Sequence, residues 1–120
     1  MDETTNNTPW AELVRDAHGI PEVTCRWVST NIDRFRLVDC REPSELDGPL
    51  GKLDDAENVP LRELLDAVSG WDREAPVVVL CRSGGRSGRA AVAMEQMGFT
   101  RVASMAGGMI EWNEIGLPVD

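Results

Sequence analysis

The stretch VVVLCRSGGRSGRAA, residues 77–91, decides the fold of this chain. It begins with three valines and a leucine, a continuous apolar run that is typical of a strand buried on both faces of a parallel sheet. A segment rich in glycine and serine follows the run, and the spacing of apolar residues from Ser87 to Met97 then predicts a helix. A buried strand, a tight turn and a helix together indicate a βαβ unit.

The rest of the chain continues this alternation of apolar runs and helical patterns. Predicted strands cover residues 22–24, 35–40, 76–81 and 101–105. Predicted helices cover residues 9–18, 25–33, 61–69, 87–97 and 107–116, and residues 41–60 are predicted to be loop. In the helix after Pro60, the i, i+3, i+4, i+7 spacing places four residues on one apolar face: Leu61, Leu64, Leu65 and Val68. The expected fold is therefore α/β, a compact single domain with a mostly parallel central sheet flanked by helices.

The N-terminal part carries its own helix signals. Thr8 is a suitable N-cap, Pro9 suits the first helical position, and Gly19 stops the pattern. We interpret residues 1–20 as an N-terminal extension with a short helix and residues 21–120 as the domain.

Composition restricts the function. The 120 residues carry a formal net charge of −9, which argues against nonspecific binding to nucleic acid or to an anionic membrane. The first residues are polar, and no apolar run approaches the roughly 20 residues of a transmembrane helix. Three cysteines without a CxxC pair suit reduced thiols in a cytoplasm, and His18 is the only histidine, so we expect no metal site.

Cys81 is the candidate functional residue, because it follows the most buried strand and ligands of parallel sheets bind at the carboxyl ends of strands. The glycines after it free successive backbone N–H groups to turn inward, and the next helix adds its positive N-terminal end. Arg82 and Arg86 add positive charge nearby. All of these groups favour a thiolate, so we predict a lowered pKa for Cys81.

Four segments in order resemble those of rhodanese-like sulfurtransferase domains, from about residue 21 to the end. They are LVDCREPSEL (37–46), GKLDDAENVPL (51–61), VVLCRSGGRSGRAA (78–91) and GGMIEWNEIGLPV (107–119). Two positions depart from the family pattern: Lys52 stands where histidine is usual, and Asp55 where glycine is usual. Both lie in a connecting loop, so we expect them to alter its path without abolishing activity.

The resemblance implies sulfur transfer without a cofactor. Cys81 would take a sulfane sulfur from a small anionic donor such as thiosulfate, form a persulfide and pass the sulfur to cyanide or to a thiol, which could belong to a protein. The residues implied in substrate binding are Arg82, Ser83, Gly84, Gly85 and Arg86, supported by Ser87, Asp39 and Arg41. Asp39 and Arg41 either hold the active-site loop and border its mouth or form an ion pair that ends their strand.

Other functions remain open at this point. Phosphatases and arsenate reductases of the same fold use a loop with one residue more than RSGG between cysteine and arginine, so oxyanion chemistry ranks lower. A noncatalytic binding or regulatory module and a sulfur carrier for a protein partner are the remaining alternatives. Cys25 and Cys40 are interpreted as packing residues, and either could act as a resolving thiol only if it lay near Cys81.

Overall fold

The computed structural model describes residues 10–120, which build one six-stranded sheet with helices on both faces. The strands are β1 (Val14–Arg15), β2 (Pro21–Val23), β3 (Arg36–Asp39), β4 (Glu57–Asn58), β5 (Val77–Leu80) and β6 (Val102–Met105). The helices are α1 (Cys25–Thr30), α2 (Pro43–Leu46), α3 (Leu61–Val68), α4 (Gly85–Gln96) and α5 (Gly108–Glu114), with a 3₁₀ turn at Ile32–Arg34.

The sheet order is β1-β2-β6-β5-β3-β4, and only the β1–β2 pair is antiparallel. Strand β5 lies in the middle between β3 and β6, and all four of its residues are buried. Its valine-rich sequence suits that position, because a central parallel strand is covered on both faces. The predicted fold class, an α/β domain with a mostly parallel sheet, is confirmed.

Alternating side chains of β5 divide the core into two layers. Val78 and Leu80 face one cluster, which α1 and α5 cover with Trp27 and Trp112 among others. Val77 and Val79 face the second cluster, together with Cys81 and with side chains of α3 and α4. Those side chains include Leu64, Val68, Ala91 and Met94. The site at the end of β5 therefore follows a strand whose four residues are completely buried.

The N-terminal helix is the main error of the sequence analysis. Thr8 and Pro9 lie outside the described residues, and residues 10–18 contain strand β1 and a turn where a helix is expected. The Asp16 carboxylate accepts the backbone N–H groups of His18 and Ile20, and Gly19 has a φ of 81°. This turn brings β1 back onto the edge of β2, so sheet pairing replaces the local helical preference.

Smaller differences concern element ends and the predicted loop. Residues 41–60 contain helix α2 and strand β4, and the helix expected over residues 25–33 ends at Thr30 before the 3₁₀ turn. Helix α2 begins with a capping box in which Glu42 and Glu45 cap each other's backbone N–H groups. In α3, Leu64 and Val68 are buried as predicted, whereas Leu65 is exposed. Within residues 10–120, none of the helices has the length and apolar character needed to cross a membrane.

Candidate active site

The Cys81 sulfur lies at the carboxyl end of β5, surrounded by hydrogen-bond donors. Gly84 N–H donates to it at 3.1 Å, and both the backbone N–H and the hydroxyl of Ser87 donate at 3.4 Å. Cys81 is only 1% exposed. These donors converge because the turn through Gly84, with a φ of 104°, starts α4 directly beside the sulfur.

Helix α5 supports the loop through its backbone. Met109 N–H donates to Cys81 O at 2.9 Å, and Ile110 N–H donates to Arg82 O at 3.0 Å. Gly108 makes this approach possible, because a Cβ there would lie 2.5 Å from the carbonyl oxygens of both Cys81 and Arg82. The loop that carries the thiol is thus fixed by main-chain contacts to the C-terminal helix.

Hydrogen bonds keep Cys81 ionised. The pKa of Cys81 is lowered to about 4, and the largest cause is a hydrogen bond with the Cys40 side chain. Burial acts in the opposite direction, and the hydroxyl and backbone of Ser87 and the backbone of Gly84 lower the pKa further. The sequence correctly predicts the lowered pKa, but it does not foresee that Cys40 contributes most.

Cys40 is close to Cys81 because of the strand register. Asp39 pairs with Leu80 on the neighbouring parallel strand, and Cys40 N–H then donates to Leu80 O at 2.9 Å. Cys40 and Cys81 are the next residues of the two strands, and both side chains face the same core cluster. Cys40 is buried as predicted, and its thiol pKa is raised far above its ordinary value, chiefly by the hydrogen bond with Cys81 and then by burial.

The two loop arginines lie in different environments. Arg86 forms a bidentate pair with Glu45 at 2.8 and 2.9 Å, which lowers the pKa of Glu45 to about 2. Arg82 is exposed, and its side chain forms no ion pair within residues 10–120. Ser83 and Gly85 are exposed as well, so the outer surface of the loop is open to solvent while Ser87 is buried.

Asp39 and Arg41 form a buried ion pair at 2.8 Å, in agreement with the second of the two sequence interpretations. Arg41 also donates to Gly51 O at 2.9 Å and so holds the segment after α2. The same side chain lines a cavity of about 220 Å³ beside the active-site loop. The cavity is lined by Arg41, Glu45, Gly48, Pro49, Leu50 and Arg82. Arg41 therefore holds the segment after α2 and forms part of the wall of this cavity.

The two departures from the family pattern lie on the surface. Lys52 pairs with Asp54 at 2.5 Å, with both side chains largely exposed, and Asp55 is exposed in the same loop. Neither residue is among the groups that hydrogen-bond to Cys81 or that lower its pKa.

Sequence reasoning overlooks four contributions to the site. Ser104 is buried on β6, and its hydroxyl lies 2.7 Å from that of Ser87. Its signal is a lone serine in the apolar run VASM. Glu45 lies in a segment predicted to be loop, and Gly108 is visible in the sequence only as part of a terminal motif. The Cys40 signal is its position one residue after Asp39, because neighbouring parallel strands end side by side.

Comparisons with known proteins agree with this geometry. The family model of the rhodanese-like domain matches residues 24–115. A sulfurtransferase of Allochromatium vinosum is 37% identical over 83 residues, 69% of this chain and 76% of that protein. A thiosulfate sulfurtransferase of Pseudomonas paraeruginosa is 31% identical over 67% of this chain and 71% of its own length. The crystal structure of a rhodanese-related protein from Thermoplasma volcanium superposes with a TM-score of 0.72 at 29% identity, covering 81% of this chain and 94% of that one.

A thiol at the end of a central parallel strand, inside a loop of inward-facing N–H groups, defines a class of cysteine-dependent α/β domains. Within that class, this chain belongs to the rhodanese-like domain family. The relatives from Allochromatium vinosum and Pseudomonas paraeruginosa are both named sulfurtransferases.

Proposed function

We propose that this protein transfers a sulfane sulfur from a small anionic donor such as thiosulfate to a thiol or to cyanide through a persulfide on Cys81. The observation that carries the proposal is the environment of the Cys81 sulfur. Three donors from Gly84 and Ser87 surround it, and its pKa is lowered to about 4. A thiolate is the nucleophilic form of cysteine, so Cys81 is ready to attack at neutral pH.

The first step forms a bond from Cys81 Sγ to the outer sulfur of thiosulfate and breaks the sulfur–sulfur bond of the donor. Sulfite leaves with the electron pair. The N–H groups of the loop at residues 82–86 would then stabilise the charge on the terminal sulfur, because inward-facing backbone N–H groups bind anions. Arg82 is the arginine free to attract the donor, since the charge of Arg86 is balanced by Glu45.

In the second step the acceptor attacks the terminal sulfur, and the Cys81 thiolate is the leaving group. Its low pKa favours departure, because a thiol of lower pKa leaves faster. A protein thiol would serve as acceptor in the same way, which makes the domain a sulfur carrier. We further propose a reducing compartment such as the cytoplasm, and residues 21–120 as the unit that performs the transfer.

Oxyanion chemistry of the phosphatase kind is less well supported. Only four residues separate Cys81 from Arg86, and the Arg86 guanidinium is already occupied by both oxygens of Glu45. A tetrahedral phosphate needs a wider loop and an arginine free to bind it bidentately.

Measuring which substrate the protein turns over distinguishes sulfur transfer, phosphatase activity and the carrier function. We expect the full chain to produce thiocyanate from thiosulfate and cyanide, and Cys81→Ala to lose this activity while it remains folded, as judged by circular dichroism. Hydrolysis of an aryl phosphate by the wild type, without thiocyanate formation, would overturn the proposal. Sulfur transfer to a protein thiol with little thiocyanate formation would identify the carrier function.

A further inference from the structure

We propose that Cys40 resolves the Cys81 persulfide within the same molecule, so that the domain converts a bound sulfane sulfur into hydrosulfide and a Cys40–Cys81 disulfide. The inference rests on the proposed function in one respect, namely that Cys81 carries a persulfide. It adds a second reactive thiol and a second product to the site.

The sheet register carries the argument. Cys40 and Cys81 each follow the last paired residue of neighbouring parallel strands, Asp39 and Leu80. The ladder continues one step further, through the hydrogen bond from Cys40 N–H to Leu80 O. In-register Cα atoms of neighbouring strands lie about 4.8 Å apart. That separation falls within the roughly 4.4–6.8 Å that a disulfide spans.

Both side chains also lie on the same face of the sheet. They belong to the core cluster that includes Val79 and Ala91, and each shifts the pKa of the other. Cys40 is 0% exposed, and within residues 10–120 Cys81 is the cysteine that lies beside it. Cys25 differs, because its thiol donates instead to the carbonyl oxygens of Ala106 and Gly108.

The charge on Cys81 keeps Cys40 protonated until a sulfur is bound. The hydrogen bond with Cys81 is the largest cause of the raised pKa of Cys40, and the Cys81 charge adds to it. In the persulfide the negative charge moves to the outer sulfur, so the Cys81 sulfur raises the pKa of Cys40 less than before. The other charged groups near the pair are Asp39, held by Arg41, and Arg86, held by Glu45, and they are unchanged by persulfide formation.

The proposed step balances without an external oxidant. Cys40 Sγ attacks Cys81 Sγ, the inner sulfur, and a Cys40–Cys81 bond forms. The bond between the inner and outer sulfurs breaks, the outer sulfur leaves with the electron pair, and the proton of Cys40 goes to it. The persulfide supplies the oxidising equivalents, and a small thiol later reduces the disulfide by exchange.

The test begins with a persulfide installed by inorganic polysulfide, which does not depend on thiosulfate turnover. Wild type, Cys40→Ser and Cys25→Ser are loaded, desalted and kept without added thiol. Released sulfide, intact mass and Cys40–Cys81 linked peptides are then measured. Cys40→Ala replaces Cys40→Ser if the serine variant fails to fold, as judged by circular dichroism.

We expect wild type and Cys25→Ser to release one sulfide per chain and to become two hydrogens lighter than the reduced protein. The Cys40 variant should retain its extra sulfur until a thiol is added, so both sulfide release and the linked peptide are lost. Equal sulfur retention or equal sulfur loss in wild type and the Cys40 variant would overturn the inference, as would the absence of any polysulfide adduct on Cys81 in the Cys40 variant. Loading by polysulfide but not by thiosulfate would count against the proposed function alone.

Discussion

The hydroxyl groups of Ser87 and Ser104 lie 2.7 Å apart, with both side chains completely buried. Ser87 comes from the first turn of α4 and Ser104 from β6, so the pair joins the helix that carries the active-site loop to the sheet. The Ser87 hydroxyl also contacts the Cys81 sulfur at 3.4 Å. The serine pair therefore holds the loop against the sheet, and Ser87 also stabilises the thiolate.

Replacing Ser87 by alanine should change both the pKa of Cys81 and the free energy of unfolding. The pKa of Cys81 should rise above its value of about 4, because a hydroxyl donor is lost. The free energy of unfolding should fall by about 1–3 kcal/mol, because Ser104 is left without its partner in the core. Alkylation rates across pH and urea unfolding measure the two effects. Ser83→Ala, an exposed change in the same loop, should leave both quantities unchanged, and an equal effect of the two variants would refute this role of Ser87.

The rate at which Cys81 is alkylated should change at a much lower pH than for an ordinary cysteine. Because the pKa of Cys81 is lowered to about 4, the reactive thiolate is the form above that pH. Its alkylation by iodoacetamide should be nearly constant between roughly pH 6 and 8 and should decline only as the pH falls towards 4. The experiment follows labelling of the Cys81 peptide by mass spectrometry. A rate that rises steeply near pH 8–9, as for an ordinary cysteine, would show that the thiol is not held ionised.

The close approach of α5 to the active-site loop gives a steric prediction. Gly108→Ala should destabilise the protein and reduce sulfur transfer, because the new Cβ would lie 2.5 Å from Cys81 O and Arg82 O. Gly116→Ala is the matched control, since Gly116 also has a positive φ but a Cβ added there would meet no atom within 4 Å. Gly116→Ala should cost only about 1 kcal/mol, the strain of a positive φ for alanine. Similar losses of unfolding free energy in both variants would contradict the steric account.

Donor attraction should depend on Arg82 and not on every arginine of the segment. Arg82→Ala should raise KM for thiosulfate by about two- to tenfold with little change in kcat, which corresponds to the loss of one screened charge near the mouth. Arg89→Ala removes an exposed charge from the same helix region and should leave KM unchanged. Steady-state kinetics at low ionic strength measure the difference. Equal KM values for the two variants would exclude a specific role of Arg82.

Much of the fold is predictable because burial dominates the local signals. The run VVVL at 77–80 can only be a central strand, and Leu64 and Val68 identify the inner face of α3. The helix predicted over residues 9–18 rests on Thr8, Pro9 and Gly19, and residues 10–18 contain strand β1 and a turn in its place. In the structure Trp10 packs edge-on against Trp27, Val14 is exposed, and pairing with β2 stabilises an extended backbone instead. Pairing with a neighbouring strand leaves no pattern within the paired segment itself.

The site is predictable in its centre and not in its surroundings. The position of Cys81 follows from strand order, and the glycines after it predict the cradle. The neighbours Cys40, Glu45 and Ser104 come from other elements, so their proximity depends on sheet register and helix placement. Register can be argued only once β3 and β5 are known to be adjacent, since a shift of one residue would place Cys40 on the other face.

The most direct test of the account is the intact mass of the protein after incubation with thiosulfate. The account predicts an adduct of one sulfur atom in Cys40→Ser, located on Cys81, removed by cyanide and absent from Cys81→Ser, whereas wild type carries this adduct only until Cys40 displaces the outer sulfur. Cys40→Ser should extend the lifetime of this adduct, so it is the best protein in which to detect it. Should wild type and Cys40→Ser both remain at their unmodified mass while the Cys81 thiolate is accessible to alkylation, sulfur transfer through Cys81 would be contradicted.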